Sequence, residues 1–242
     1  MFKIYDRYEV ERQFCSTDWQ CMLLSDFRNT LESEVRLFPC IFGVAGFRAN
    51  QLRSVFADPL DPAELAPSLA SYLAEARNFG PNTSLVVITR PEPVRSISAY
   101  RKTFWSLLWD LSALDQSPWP RDISKEVNSQ GWEFSFAGEP VFVVCNTPAH
   151  IMRQSRRSAS FMVTFQPRWV FDSILGSDAA ADAAFAKIRA RLASYDFIAQ
   201  SPALGKYGNP ETREFAQYFL DEENARAACP YHLLAACQSK VA

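Results

Sequence analysis

The sequence predicts an α+β fold in which helices pack on a central, mainly antiparallel sheet. Three observations predict it. Helical apolar spacing dominates both ends of the chain, strand-like segments cluster between residues 132 and 166, and no repeat, low-complexity tract or linker divides the chain. We therefore expect one domain over residues 1–242.

The helices are predicted from apolar residues that recur with a period near 3.6. In the first of them Trp19, Leu23, Leu24, Phe27 and Leu31 share a face, with Thr17 as the expected N-cap. The pattern is strongest over 97–114. The predicted helices cover, in chain order, 17–36, 62–78, 97–114, 178–195 and 211–220.

The strands are predicted from short apolar or alternating segments. Residues 84–89 are rich in β-branched residues and lie between prolines, which is typical of a buried strand. Residues 132–136 alternate, 137–139 form a turn, and 140–145 run back, so a hairpin is expected there. Residues 160–166 are the next predicted strand.

Composition excludes several classes of function. The eight glycines form neither a Walker A nor a Rossmann loop, so a glycine-based phosphate site is not expected. The net charge of −2 gives no basic excess for nucleic acid. The charged N-terminus has no signal-peptide pattern, and no apolar run is long enough for a membrane helix. We expect a soluble cytoplasmic protein.

Cysteine and histidine limit the metal chemistry. The six cysteines are expected to be reduced thiols, and no CxxC pair predicts a structural zinc site. Cys40 follows a helix among apolar neighbours. It is either a small core residue or a thiolate ligand to iron in an aromatic pocket.

Polar segments at strand ends supply the other candidates. His150 lies beyond a strand and just before Arg153, Arg156 and Arg157, which form either a solvated turn or an anion site. Arg168 is either a strand-end anion clamp or a surface arginine. The segment Cys229-Pro230-Tyr231-His232 could be a metal or nucleophile site, a weak haem-regulatory pattern, or the start of a helix.

Five segments together resemble the YqcI/YcgG family, in an order and spacing that run from about residue 17 to 232. They are FPCIFGVAG at 38–46, WEFSFAGEPVFVVCNTPAH at 132–150, RQSRRS at 153–158, FQPRWVF at 165–171 and GKYGNPETREFAQYFLDEEN at 205–224. The resemblance implies a haem-dependent N-oxygenase that hydroxylates a guanidino compound such as arginine, or a related amine. It also implies haem b, O2 as co-substrate and an external electron donor.

The resemblance also implies roles for individual residues. Cys40 would be the axial thiolate, with Phe38 beside it, and His150 would act on bound oxygen or replace Cys40 as the ligand. Arg153, Arg156 and Arg168 would pair with haem propionates or a substrate carboxylate. Candidate partners for a guanidinium are Asp110, Asp115 and Glu139. Candidate aromatic walls for the porphyrin are Phe38, Phe42, Trp105, Trp109 and Phe134.

Two alternatives stay open from the sequence. A non-catalytic haem sensor or carrier would use the same Cys and His without turnover, and a cofactor-free interaction protein would need neither. No nucleic-acid or membrane partner is expected, and a homodimer is compatible with the sequence.

Overall fold

A computed structural model describes residues 1–174, 178–205 and 212–225. Within them, five strands form one mixed sheet with the order β1-β2-β5-β4-β3. Only β1 and β2 are parallel, and the remaining neighbours are antiparallel. The strands are β1 (Arg53–Ala57), β2 (Leu85–Thr89), β3 (Ser135–Phe136), β4 (Glu139–Asn146) and β5 (Met162–Pro167).

Helices surround this sheet, and several begin at capping residues that the sequence provides. Asp6 and Glu9 form a reciprocal capping box, and Ser96 accepts a hydrogen bond from the amide of Ala99 at 3.2 Å. In the described part of the chain the helices are α1 (Arg7–Gln13), α2 (Trp19–Glu32), α3 (Ile41–Arg48), α4 (Pro62–Phe79), α5 (Ile97–Leu114), α6 (Arg168–Ile174), α7 (Asp178–Tyr195) and α8 (Phe215–Tyr218), with a 3-10 turn at Gln154–Arg156.

The two faces of the sheet carry separate apolar cores. On the first face, Val87, Val143 and Phe165 pack with α4, α5 and α8. On the second face, Val86 and Ile88 pack with α2 and α3. On the β4 and β5 part of that second face, the side chains of Phe142, Val144, Thr164 and Gln166 are only half-buried.

The hairpin between β3 and β4 explains one candidate carboxylate. Ala137 and Gly138 both have positive φ, at 52° and 78°, as a two-residue turn of this type requires. Asp115 accepts a hydrogen bond from the amide of Ala137 at 2.9 Å and thereby holds this turn. Its carboxylate is used by the fold.

The α+β prediction with a mainly antiparallel sheet is confirmed. The helix at 97–114 has its predicted bounds. The helix predicted over 17–36 is α2, which begins at Trp19 and has Asp18, not Thr17, at its N-cap. β1, α1, α3 and α6 were not predicted. They are short, so they contain too few turns or alternations to give a periodic signal. The extent of one domain over 1–242 stays a prediction.

Gly46 in α3 is required by a close approach of two backbones. A Cβ at this position would lie 2.2 Å from the carbonyl oxygen of Asn82.

We expect Gly46→Ala to lower the free energy of unfolding by about 1–3 kcal/mol through overpacking, although alanine favours a helix by about 1 kcal/mol. Urea denaturation tests this. The exposed neighbour Ala45→Ser should change stability little, and a more stable Gly46→Ala protein would contradict the expectation.

Candidate functional site

Cys40 occupies the N-terminal end of α3 as its N-cap residue. Its Sγ accepts a hydrogen bond from the amide of Gly43 at 3.3 Å. A Cβ on residue 43 would lie 3.3 Å from the same sulfur, so glycine leaves room for this approach. The positive end of the helix dipole and the amide hydrogen bond both favour the thiolate form.

We call the surroundings of the Cys40 thiol, which include Phe38, Phe42, Gly43 and Arg156, the recess. Cys40 is exposed to solvent. The pKa of its thiol lies above the ordinary value, because desolvation by the surrounding atoms raises it more than the amides of Gly43 and Phe42 and the charge of Arg156 lower it. Phe38 and Val44 flank Cys40 in sequence and pack against the second-face core, which places the recess on that side of the sheet.

Arg156 is the cation that acts on this recess. Its side chain is half-buried, and its Nη2 donates to the carbonyl of Gln217 at 3.3 Å. Its Nε has no hydrogen-bond partner in the described chain. Burial lowers the pKa of Arg156 to about 10, so the guanidinium stays charged at neutral pH. Arg156 is therefore suited to bind an anion beside Cys40.

Both ring nitrogens of His150 form hydrogen bonds within the fold. The residue is fully buried, its Nδ1 lies 2.9 Å from the hydroxyl of Thr147, and its Nε2 lies 2.8 Å from the carbonyl of Leu220. A carbonyl only accepts, so Nε2 carries the proton and Nδ1 accepts from Thr147. Burial lowers the pKa of His150, which favours this neutral form. Neither ring nitrogen offers a lone pair to a ligand in this arrangement.

Arg153 and Glu222 tie the segment after α8 to the turn after β4. The guanidinium of Arg153 is 1% exposed and donates to the carbonyl of Asp221 at 2.7 Å and to Asn224 Oδ1 at 2.8 Å. The carboxylate of Glu222 accepts from the amides of Ile151, Met152 and Arg153 at 3.0, 2.6 and 3.1 Å. Both side chains are structural in this arrangement.

Arg168 belongs to a different charge cluster. It forms an ion pair with Glu133, which is 1% exposed, and it lies 3.6 Å from Asp172. Its charge also acts on Glu214. Because β4 and β5 are antiparallel, Arg168 follows the end of β5 that pairs with Val141, whereas Arg156 lies near the opposite end of β4. The structure therefore does not bring Arg168 to Arg156.

Phe38 is held by α7. The guanidinium of Arg191 donates to the carbonyl of Phe38 at 2.9 Å, and the Phe38 ring meets Tyr195 edge-on with centroids 5.6 Å apart. Asp196, just after α7, accepts from the amide and the hydroxyl of Ser155 at 2.6 and 2.9 Å. The end of α7 thus fixes both Phe38 and the turn that carries Arg156.

Comparison with known proteins gives the family. The model of the YqcI/YcgG family matches residues 27–232. This chain belongs to that family. Bacillus subtilis (strain 168) YcgG is 43% identical over 241 residues, and YqcI of the same strain is 39% identical over 241 residues, each with 96% of this chain and 95% of the relative covered.

A more distant relative carries a functional name. It is the Streptomyces lavendulae protein named "Putative N(omega)-hydroxy-L-arginine synthase DcsA", 32% identical over 206 residues, with 80% of this chain and 77% of the relative covered. No solved structure matches the chain.

Of the residues predicted for the site, this YqcI/YcgG member brings Cys40, Phe38 and Arg156 together. His150 and Arg153 form hydrogen bonds within the fold. Trp105 and Phe134 are buried in the first-face core. Of the candidate carboxylates, Asp110 is exposed, and Glu139 is 3.9 Å from Arg77. Cys229-Pro230-Tyr231-His232 lies outside the described residues.

Several carboxylates that form contacts within the fold were not identified from the sequence. Glu133 lies inside the family segment at 132–150, and Glu214 and Glu222 lie inside the one at 205–224, but the linear segments do not reveal which acidic residues the fold engages. Asp196 had no sequence signal.

Two other features of the described chain do not enlarge the site. A groove of about 400 Å³ between the N-terminus and α4 has Asp6, Glu9, Arg53 and Glu75 among its lining residues. Asp6 and Glu9 are used there in the helix cap.

No group of three or more His, Cys, Asp or Glu that could hold a metal ion occurs in residues 1–174, 178–205 and 212–225. In the same ranges no helix is long and apolar enough to span a bilayer.

We call the three hydrogen bonds from the amides of residues 151–153 to Glu222 the clamp. The pH dependence of stability tests whether the clamp stabilises the fold. Burial raises the pKa of Glu222, but the amides of Met152, Arg153 and Ile151 and His150 lower it, and the net pKa lies below the ordinary value of 4.5. Its stabilising contribution is therefore present above pH 4.5 and is lost as the pH falls through the folded-state pKa.

We expect Glu222→Gln to lower the free energy of unfolding by about 1–3 kcal/mol at pH 7. The deficit relative to the wild type should shrink near pH 3, as urea denaturation at both pH values would show. The exposed neighbour Glu223→Gln is the control, and equal losses for the two variants would contradict the clamp.

Glu214 gives a pH dependence of opposite sign. Burial raises its pKa to about 7, although the charge of Arg168 lowers it. The folded state therefore binds this proton more tightly than the unfolded state. The resulting stabilisation is complete below pH 4.5 and decreases as the pH rises through 7.

We expect Glu214→Gln to become more stable relative to the wild type, by about 1–3 kcal/mol, between pH 4.5 and pH 8. Urea unfolding across that range measures the difference, with the exposed Glu126→Gln as control. Parallel pH profiles for wild type and Glu214→Gln would show that Glu214 is not proton-bound in the fold.

Proposed function

We propose that this protein is a haem-dependent N-oxygenase that uses O2 to hydroxylate a guanidino substrate of the arginine type or a related amine. Cys40 is the proposed ligand of the haem iron. The observation that carries the proposal is the thiol of Cys40, which solvent can reach in a recess, at a helix N-terminus and with a backbone amide directed at its sulfur.

The donor set of the recess fits a haem. A haem iron needs only one protein ligand, so a cluster of metal-binding side chains is not required. A thiolate ligand supplies electron density that favours cleavage of the O–O bond when haem is bound. Phe38 and Val44, which flank Cys40, place apolar surface beside the sulfur.

The other residues of the recess bind and position. Arg156 offers a buried, unpaired Nε–H to a carboxylate of the haem or of the substrate. Glu222, Arg153 and Asp196 hold the backbone of residues 151–156 and so fix where that guanidinium lies. His150 keeps Leu220 against the turn, which is a positioning role. The structural use of both its ring nitrogens favours Cys40 over His150 as the ligand.

The family relationship supports the reaction class. The Streptomyces lavendulae relative is named for N-hydroxylation of L-arginine, and the shared region covers 80% of this chain. We therefore extend a guanidino substrate and an external electron donor to this protein as part of the proposal.

Absorption spectra of the protein produced with a haem precursor test the ligand assignment. We expect a Soret band that shifts strongly to the red after reduction and addition of CO, since that shift is typical of a thiolate ligand. Cys40→Ser should lose the shift, whereas the buried thiol variant Cys145→Ser should keep it. His150→Gln should also keep it but unfold at lower urea, because it loses two buried hydrogen bonds, each worth about 1 kcal/mol.

Each other outcome has a defined meaning. Loss of the shift in His150→Gln alone would move the ligand to His150. A colourless wild type would refute haem binding. A haem spectrum that arginine and other guanidino compounds leave unchanged, with no hydroxylated product, would favour a haem sensor or carrier.

A further inference from the structure

A cluster of exposed apolar side chains lies beside the recess. Five of the ten large hydrophobic side chains that are exposed in the described structure come from three short segments that meet. We call them the apolar patch: Val35 (101% exposed), Leu37 (49%), Ile151 (62%), Met152 (42%) and Phe197 (65%).

Direct contacts join the segments of the apolar patch. The amide of Phe197 donates to the carbonyl of Met152 at 2.8 Å. The guanidinium of Arg36 lies over the rings of Tyr195 and Phe197, at 4.2 and 5.4 Å from their centroids. The chain segment that carries Val35 and Leu37 is therefore linked to Phe197 through Arg36. Exposed apolar side chains gathered in this way are typical of an interaction site.

The same segments are strongly basic. Residues 33–40, 150–157 and 187–197 contain seven Lys and Arg and two Asp and Glu, a net charge of +5 in a chain whose total is −2. Arg153 is buried and Arg156 is the half-buried cation beside Cys40. We call the other five cations of these segments the basic rim: Arg157, Lys187 and Arg189 are exposed, and Arg36 and Arg191 are half-buried. Of the neighbouring acidic side chains, Glu34 and Glu223 are exposed. Glu222 accepts from three amides, Asp221 pairs with Arg101, and Asp196 accepts from Ser155.

We propose that the apolar patch and its basic rim form the docking surface for an acidic one-electron carrier protein that supplies the oxygenase. This inference rests on the proposed function. Leu37 is three residues from Cys40, so their Cα atoms lie within about 11 Å of each other. A carrier seated on the patch therefore sits close to the residue proposed to hold the iron.

The positive charge of the basic rim favours an acidic carrier over a second copy of this chain. A two-fold interface would place the basic rim of one copy against the basic rim of the other, and such like-charge contact is destabilising. An acidic carrier instead gains both charge attraction during association and apolar contact after docking.

The electron balance defines what the carrier supplies. In each turnover one atom of O2 forms the N–O bond of the hydroxylated product and the other leaves as water. This requires two electrons and two protons in addition to the substrate and O2. Two reduced carriers, each giving one electron, meet this requirement.

Stopped-flow reduction of the haem-loaded protein under CO tests the surface. The probe is an acidic plant-type [2Fe–2S] ferredoxin, chemically reduced, at low and high salt. We expect Ile151→Asp and the double variant Lys187→Glu/Arg189→Glu to lower the second-order rate constant roughly tenfold at low salt, and salt to slow the wild type most.

Two matched controls exclude general effects. Val94→Asp changes an equally exposed apolar residue (65%), and Lys102→Glu changes an exposed cation, both outside the patch and its rim. Both should leave the rate constant within about twofold of the wild type. Dithionite should reduce every variant equally. If the patch variants behave like the controls while the haem reduces normally, the docking proposal is overturned and the proposed function is not.

Photo-crosslinking identifies the occupant without relying on haem. With p-benzoylphenylalanine placed at position 151 of the full chain, we expect a crosslink to the ferredoxin. A crosslink to a second copy, or to residues 226–242 of the same chain, would overturn the proposal. A protein that takes up no haem would refute the proposed function, and the crosslink would still report on the surface.

Discussion

The hydrogen bonds from the amides of residues 151–153 to Glu222, together with the buried guanidinium of Arg153, are the contacts on which the proposed site depends. They join the segment after α8 to the turn that leaves β4. A buried arginine is costly unless its donors find partners. Nε and Nη2 of Arg153 donate to the carbonyl of Asp221 and the amide oxygen of Asn224, and Nη1 lies 4.0 Å from the carboxylate of Asp196. The same turn carries Arg156, so this clamp decides where the cation beside Cys40 lies.

The recess is built from parts that are distant in sequence. α3 presents Cys40, α7 holds Phe38 through Arg191 and Tyr195, and Asp196 fixes the turn of Arg156 through Ser155. Because the end of α7 contacts both Phe38 and this turn, it links the apolar and the charged sides of the recess. The exposed patch around Phe197 begins at this junction, which is why an interaction surface and the proposed site lie so close together.

Residue patterns were sufficient for much of the fold. The bounds of α5 and the central antiparallel strands follow from periodicity, because each buries one regular face. They were insufficient for β1 and α3, which are short, and for the N-cap of α2, where Thr17 and Asp18 are both capable residues. For the site, the family resemblance implied Cys40, Phe38, His150, Arg153, Arg156 and Arg168, and the structure brings Cys40, Phe38 and Arg156 of this set together.

The sequence by itself determined the fold class and the family, because apolar spacing and ordered motifs are properties of the linear chain. It could not determine which polar side chains form hydrogen bonds or ion pairs within the fold. His150, Arg153 and Arg168 look equivalent to Arg156 in sequence, yet His150 satisfies Thr147 and Leu220, Arg153 satisfies the segment after α8, and Arg168 pairs with Glu133. A side chain is available for chemistry only when no neighbour already satisfies its hydrogen bonds, and only the tertiary structure decides those neighbours.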